Sequence, residues 1–129
     1  MFVKQDGVAG SMAPYQDLHL EINFNYHGVV LDGAALRLTR KEYDLLAMLA
    51  QNAGEIVPRD VLLRQVWGYC DGIRTRTLDV HIRRLRKKLA PFSDQYIETI
   101  FGVGYRFQPY RARVKLFGSP AVIPMSATA

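Results

Sequence analysis

A chain of 129 residues, 49% of them hydrophobic, with a mean hydropathy of −0.06, suits one globular domain built on a single core. No apolar run approaches the ~18 residues of a membrane span, and no basic start with an apolar stretch behind it marks a secretory signal. The net charge of +5 points to an acidic partner. The single cysteine, Cys70, cannot form an internal disulfide, consistent with a reducing cytoplasm. His19, His27, His81 and Cys70 share no ligand spacing, so neither a metal nor another cofactor is expected.

Residues 1–14 show no period and are rich in small side chains, which predicts a mobile leader ahead of a domain over 15–108. From Leu18, apolar Leu18, Leu20, Ile22, Phe24 and Tyr26 alternate with polar residues, the period of a strand with one buried face. Asn25–Gly28 supplies turn chemistry and Val29–Leu31 a second strand. Asp32-Gly33 is a hairpin signal, since both residues tolerate positive φ. Leu36 and Leu38 continue outward, giving a small antiparallel sheet with His19 and His27 as surface strand or turn residues.

Thr39 followed by Glu42 predicts a capping box, with Leu38 and Tyr43 placed as a hydrophobic staple. Tyr43, Leu46, Ala47 and Ala50 share one face of the helix that follows, widened by Leu45 and Leu49, and Gly54 is placed to end it. Glu55–Val57 reads as an extended link before Pro58. A second helix runs through Asp60, Leu62, Leu63, Val66 and Trp67 and stops at Gly68. Trp67 serves equally as plain core or as an edge aromatic whose indole N–H reaches a phosphate.

After a loop at 68–73, Arg74 to Ala90 carries the chemistry. Leu78, Ile82, Leu85 and Leu89 fall within about 60° of one another on a helix, and Arg76, Val80, Arg83, Arg84 and Lys87 lie opposite, with Thr77 at the edge. Seven bases against the single Asp79 leave +6 on these 17 residues, more than the whole chain's +5. Solvated helical faces usually mix acids and bases at i,i+4, and this one does not. Five of its seven bases are Arg, whose planar fork suits phosphate and the guanine edge. A polyanion is the partner such a face requires.

Beyond Pro91, Tyr96–Ile100 and Tyr105–Phe107 read as two strands around Phe101-Gly102-Val103-Gly104. The Gly-x-Gly is a weak phosphate-loop signal without a following helix. Placed after a basic helix, the hairpin is a wing. Residues 109–129, with Pro120 and Pro124, read as a loosely ordered tail in which Arg111, Arg113 and Lys115 could graze phosphates. The fold class expected is therefore α+β: a winged helix-turn-helix with an N-terminal antiparallel sheet, a three-helix core and a C-terminal β-hairpin wing.

The stretches LTRKEYDLLAMLAQNAGEIVPRDVLLRQVWG, RTRTLDVHIRRLRKKL and YIETIFGVGYRF resemble the DNA-binding effector domain of OmpR/PhoB-type response regulators over roughly Leu18 to Gln108. The resemblance implies a cytoplasmic, nucleoid-associated transcription factor on double-stranded DNA, bound to direct repeats as a tandem homodimer. It implies that helix 74–90 enters the major groove with Arg76, Thr77, Val80, His81 and Arg84 near base edges or phosphates. Arg74 lies on the same helix, and Arg83, Arg86 and Lys87 are placed on the backbone. Trp67 and Tyr105 match phosphate-facing positions, and wing 97–107 lies near the minor groove. Loop residues Tyr69, Cys70, Asp71 and Ile73 match a segment that contacts RNA polymerase in some members. Phe101 stands where the family usually has Arg, so minor-groove reading is in question. Packing under the wing is the expectation for Phe101, ahead of stacking on sugar or wedging a base step. Pro58 replaces a capping Ser. The family's receiver domain has no room upstream of Leu18, so the sequence is either a stand-alone regulator or a piece of a longer one.

Two other functions compete. A protein-interaction module would dock RNA polymerase or a partner regulator through loop 68–74, with the basic helix dispensable. An enzyme is disfavoured, because Ser11, Ser93, Ser119 and Ser126 lack a nucleophile-elbow pattern and Cys70 has no His nearby in sequence.

Overall fold

In the computed structural model, which describes residues 12–69 and 75–110 apart from the side chains of Ser93 and Asp94, the chain opens with four antiparallel strands in sequential order. They are β1 (Tyr15–Gln16), β2 (Leu20–Asn23), β3 (Gly28–Leu31) and β4 (Ala34–Ala35). Leu20 faces Leu31 and Ile22 faces Val29, so one side of the ladder feeds the core. Asp32 and Gly33 take φ of 52° and 83° and form the two-residue turn expected between β3 and β4. Strand β2 is shorter than the nine-residue alternation predicts: Leu18 and Tyr26 are 70% and 83% exposed. Two side chains end it. The Asp17 carboxylate accepts the amides of His19 and Leu20, each at 2.8 Å. The Asn23 side chain accepts those of Asn25 and Tyr26, at 2.9 and 3.0 Å. Such local bonds outcompete a ladder.

Helix α1 (Arg40–Gln51) begins with the expected capping box: the Thr39 amide donates to Glu42 Oε1 at 2.9 Å and the Glu42 amide to Thr39 Oγ1 at 3.2 Å. Its residues from Tyr43 to Ala50 are buried apart from half-buried Asp44, because the helix packs on the basic helix, on the second helix and on the wing. Glu42 is buried too, and its carboxylate meets Lys88 Nζ at 2.7 Å, tying α1 to the basic helix. Burial would raise the Glu42 carboxyl, but the bonds from Lys88 and the Thr39 amide outweigh it and hold the group below its usual range.

The predicted link at 55–57 is a strand, β5 (Ile56–Pro58), which forms a second antiparallel sheet of order β5-β7-β6 with β6 (Ile97–Ile100) and β7 (Gly104–Phe107). Helix α2 (Arg59–Leu62) continues as a π-helical turn over Leu63–Trp67 and stops at Gly68, whose φ of 78° reverses the chain. Pro58 provides no side-chain cap, as its replacement of Ser predicts. The wing turn supplies an acceptor instead, the Val103 carbonyl, at 3.0 Å from the Arg59 amide.

Helix α3 spans Thr77–Lys88, and α4 (Ser93–Tyr96) follows. The expected start at Arg74 is therefore too early. Thr75 Oγ1 accepts the Thr77 amide at 3.1 Å and closes a turn before the first helical residue. Tyr96, expected to open a strand, ends α4 and is fully buried, stacked on Phe107 at 5.6 Å. Asp17 holds the two ends of the fold together. Its carboxylate accepts the hydroxyls of Tyr15 and Tyr96 and, at 3.2 Å, the amide of Tyr110. Tyr110 is thereby tied to Asp17; residues 1–11 and 111–129 of the predicted leader and tail lie outside the described residues.

Candidate nucleic-acid interface

Leu78, Ile82, Leu85 and Leu89 are at most 2% exposed, so the stripe read from sequence is the buried face of α3 and its immediate C-terminus. Burying four aliphatic side chains fixes the rotation of the helix, each contributing about 2 kcal/mol. That rotation leaves Arg76, Arg83, Arg84 and Lys87 exposed, with no hydrogen bond or ion pair among the described residues. Val80, Arg83, Arg84 and Lys87 line one open concavity of about 230 Å³. Unpaired, exposed cations around a small apolar floor form a surface that attracts phosphate and admits a base edge.

The remaining cations of the helix are spent inside the protein. Arg86 donates to the Ile97 carbonyl at 2.8 Å and to Thr99 Oγ1 at 2.7 Å, with its guanidinium 5.9 Å from the Tyr105 ring centre. Arg86, expected on the DNA backbone, fastens α3 to β6 through these bonds. Lys88 is held by Glu42 and, at 3.1 Å, by the Arg37 carbonyl. Tyr105, also expected to face the backbone, is 7% exposed, and its hydroxyl donates to Asp79 at 2.9 Å. It is a positioning residue between wing and helix. Burial and the Asp79 carboxylate push its phenol up.

Asp79 also pairs with Arg59 at 2.7 Å, a contact absent from the reading of the sequence because the two are 20 residues apart. Burial would raise the Asp79 carboxyl, but the bonds from Arg59 and Tyr105 win and hold it below the usual range. His81 Nδ1 lies 2.9 Å from the Thr77 carbonyl, which can only accept, so Nδ1 carries the proton in that bond. The His81 ring meets Trp67 edge-on at 5.0 Å, and both are half-buried; Trp67 is packed against the core while keeping an exposed edge. Thr77 opens the helix, its hydroxyl 2.8 Å from that of Thr75. Arg74, Cys70, Asp71 and Ile73 lie outside the described residues, and Tyr69 is half-buried against the core.

At the wing tip Phe101 is 89% exposed and Val103 45%. Packing beneath the wing, the expectation for Phe101, is overturned: a three-residue turn with Gly102 at φ 79° projects the ring away from the sheet. The Gly-x-Gly serves this turn and the sheet beneath it. Arg59, bonded to the Val103 carbonyl of the wing turn and paired with Asp79 of α3, links the wing to the helix.

These elements define a winged helix-turn-helix domain with a cationic, exposed helix face and an apolar wing tip. The family described as "Transcriptional regulatory protein, C terminal" matches residues 33–107, and the chain belongs to it, the OmpR/PhoB-type effector domains. The response regulator ArlR of Staphylococcus aureus is 45% identical over 87 residues, covering 67% of this chain; the chain spans 40% of that relative's length. The DNA-binding domain of RstA from Klebsiella pneumoniae, solved in complex with the RstA box, is 35% identical with a TM-score of 0.68, covering 77% of this chain and 100% of that one. The DNA-binding domain of CpxR from E. coli is 30% identical with a TM-score of 0.69, covering 76% and 98% respectively. Among the described residues no helix is long and apolar enough to cross a membrane.

Proposed function

We propose that this domain is a sequence-specific binder of double-stranded DNA acting in transcription, with α3 in the major groove and the β6–β7 wing beside the minor groove. One observation carries the reading: core packing of α3 leaves Arg76, Arg83, Arg84 and Lys87 exposed on a single face, with no hydrogen bond or ion pair among the described residues. The RstA domain, similar over its whole length, was solved on its own DNA box, which supports the same use here. Cations supply affinity by neutralising phosphates, and side chains on base edges supply choice of site. Tandem occupation of direct repeats in the cytoplasm is part of the proposal. Docking on RNA polymerase through loop 68–74 is the competing use, and no observation on the described residues favours it.

Selection from a pool of random duplexes at two salt concentrations tests the reading. Enrichment of a motif repeated about one helical turn apart supports tandem, specific binding. Salt-sensitive binding without a motif indicates a non-specific binder, and no binding at either salt sinks the proposal. On the enriched site, Arg84→Ala is expected to cost about 1–3 kcal/mol and relax choice at one position, whereas Lys87→Ala weakens all duplexes alike and lowers the salt slope by about 1. Unchanged discrimination in the Arg84 variant would count against this docking.

Phe101 is assigned to sugar edges or a base step, since an exposed apolar ring on a fixed hairpin gains by leaving water. Phe101→Ala is expected to weaken binding roughly tenfold, about 1.4 kcal/mol, with the salt slope unchanged because an apolar group displaces no counterion. A slope change, or unaltered affinity, would remove Phe101 from the interface.

A further inference from the structure

Arg59 occupies an unusual place. It is the first residue of α2, yet its amide bonds the wing turn at Val103 and its guanidinium reaches Asp79 in the first turn of α3. It therefore lies between the two elements assigned to DNA. Its partner is the one acid among the bases of 74–90. Asp79 remains about half exposed, as does roughly a third of Arg59. An ion pair that exposed stabilises a fold by only about 0–1 kcal/mol. An acid on a phosphate-facing surface lowers affinity for any DNA. Stability is thus a weak reason for this arrangement.

We propose that Asp79 limits the sequence-independent affinity of this domain for DNA by holding Arg59 between wing and helix, which keeps a further guanidinium off the phosphates. The inference rests on the DNA-binding reading above. Its physical basis is the counterion release that accompanies each cation placed on a phosphate. A mobile Arg beside the duplex adds sequence-independent attraction, which strengthens binding to wrong sites as much as to right ones. Paired with Asp79, the same guanidinium is withheld from that attraction. The Tyr105 hydroxyl on the same carboxylate gives the pair a fixed position relative to the wing. A helix-dipole role for an acid in the first turn is the plain alternative, and it predicts no change in counterion release.

The test is salt-dependent binding of the intact chain to a random-sequence duplex and to the duplex enriched by selection. Asp79→Asn keeps an acceptor for Tyr105 while removing the charge. It is expected to bind the random and the enriched duplex severalfold more tightly alike, and to steepen the salt slope on both by about 0.9. Adding Arg59→Ala to that variant should restore the original slope. Arg59→Ala alone should leave the slope as it was. An Asp79→Asn variant with an unchanged slope overturns the proposal, as does a slope lowered by about 0.9 in Arg59→Ala alone, since Arg59 would then already sit on a phosphate. Failure of the unmodified chain to bind either duplex rejects the DNA reading itself, and is seen before any variant is compared.

Discussion

Gly104→Ala is expected to destabilise the domain by about 3 kcal/mol, the upper end for overpacking, and to lower its melting temperature by roughly 15 °C. A Cβ built on Gly104 would lie 2.1 Å from the Val57 carbonyl oxygen and 2.8 Å from the Pro58 Cα. Both are backbone atoms of β5, so no side chain can swing aside. Gly104 pairs with Pro58 on one side and Ile100 on the other, in the middle of the second sheet. Relief requires β5 to move away from β7, and β5 leads directly into Arg59 and α2. The same shift would pull the Val103 carbonyl from the Arg59 amide. Urea denaturation of the two forms gives the difference directly. A loss below about 1 kcal/mol would mean that the sheet yields more easily than packed backbone normally does. The weak phosphate-loop signal in this Gly-x-Gly thus has a steric origin.

Removing the Asp17 carboxylate is the second large change. Asp17→Ala is expected to cost about 3 kcal/mol, since a buried donor left without an acceptor costs roughly 1–3 kcal/mol and several are stranded together. They are the hydroxyl of fully buried Tyr96, the hydroxyl of Tyr15 and the amides of His19, Leu20 and Tyr110. Asp17→Asn keeps an acceptor and loses the charge assistance, so roughly half that cost is expected. The pH dependence separates the two effects. Burial would raise the Asp17 carboxyl, but the bonds from Tyr15, Leu20, His19 and Tyr96 outweigh it and set the folded value below 3.8. Because the folded value is the lower one, the charged group's contribution is complete above the unfolded value and is lost as pH falls through the folded one. The stability gap between the unmodified protein and Asp17→Asn should therefore be constant near neutrality and shrink below about pH 4. A gap that persists unchanged to pH 2 would show that charge is not what Asp17 supplies.

Sequence alone determined whatever is decided by neighbours a few residues apart. The stripe of Leu78, Ile82, Leu85 and Leu89, the Thr39–Glu42 box and the Asp32-Gly33 turn are each set by bonds or packing within one or two turns of chain. These suffice for the winged-helix architecture and for which side of α3 is wet. Local pattern misled where short side chains intervened: Asp17 and Asn23 truncated β2, leaving Leu18 and Tyr26 in solvent despite perfect alternation. Only the tertiary structure decided which charges are free. Lys88 meets Glu42 across 46 residues, Arg86 meets Thr99 across 13, and Arg59 meets Asp79 across 20. A count of bases cannot distinguish a cation facing water from one serving as a strut. That difference depends on partners brought together by the closing of the core, and it leaves Arg76, Arg83, Arg84 and Lys87 as the exposed cations among the described residues of α3 and its cap.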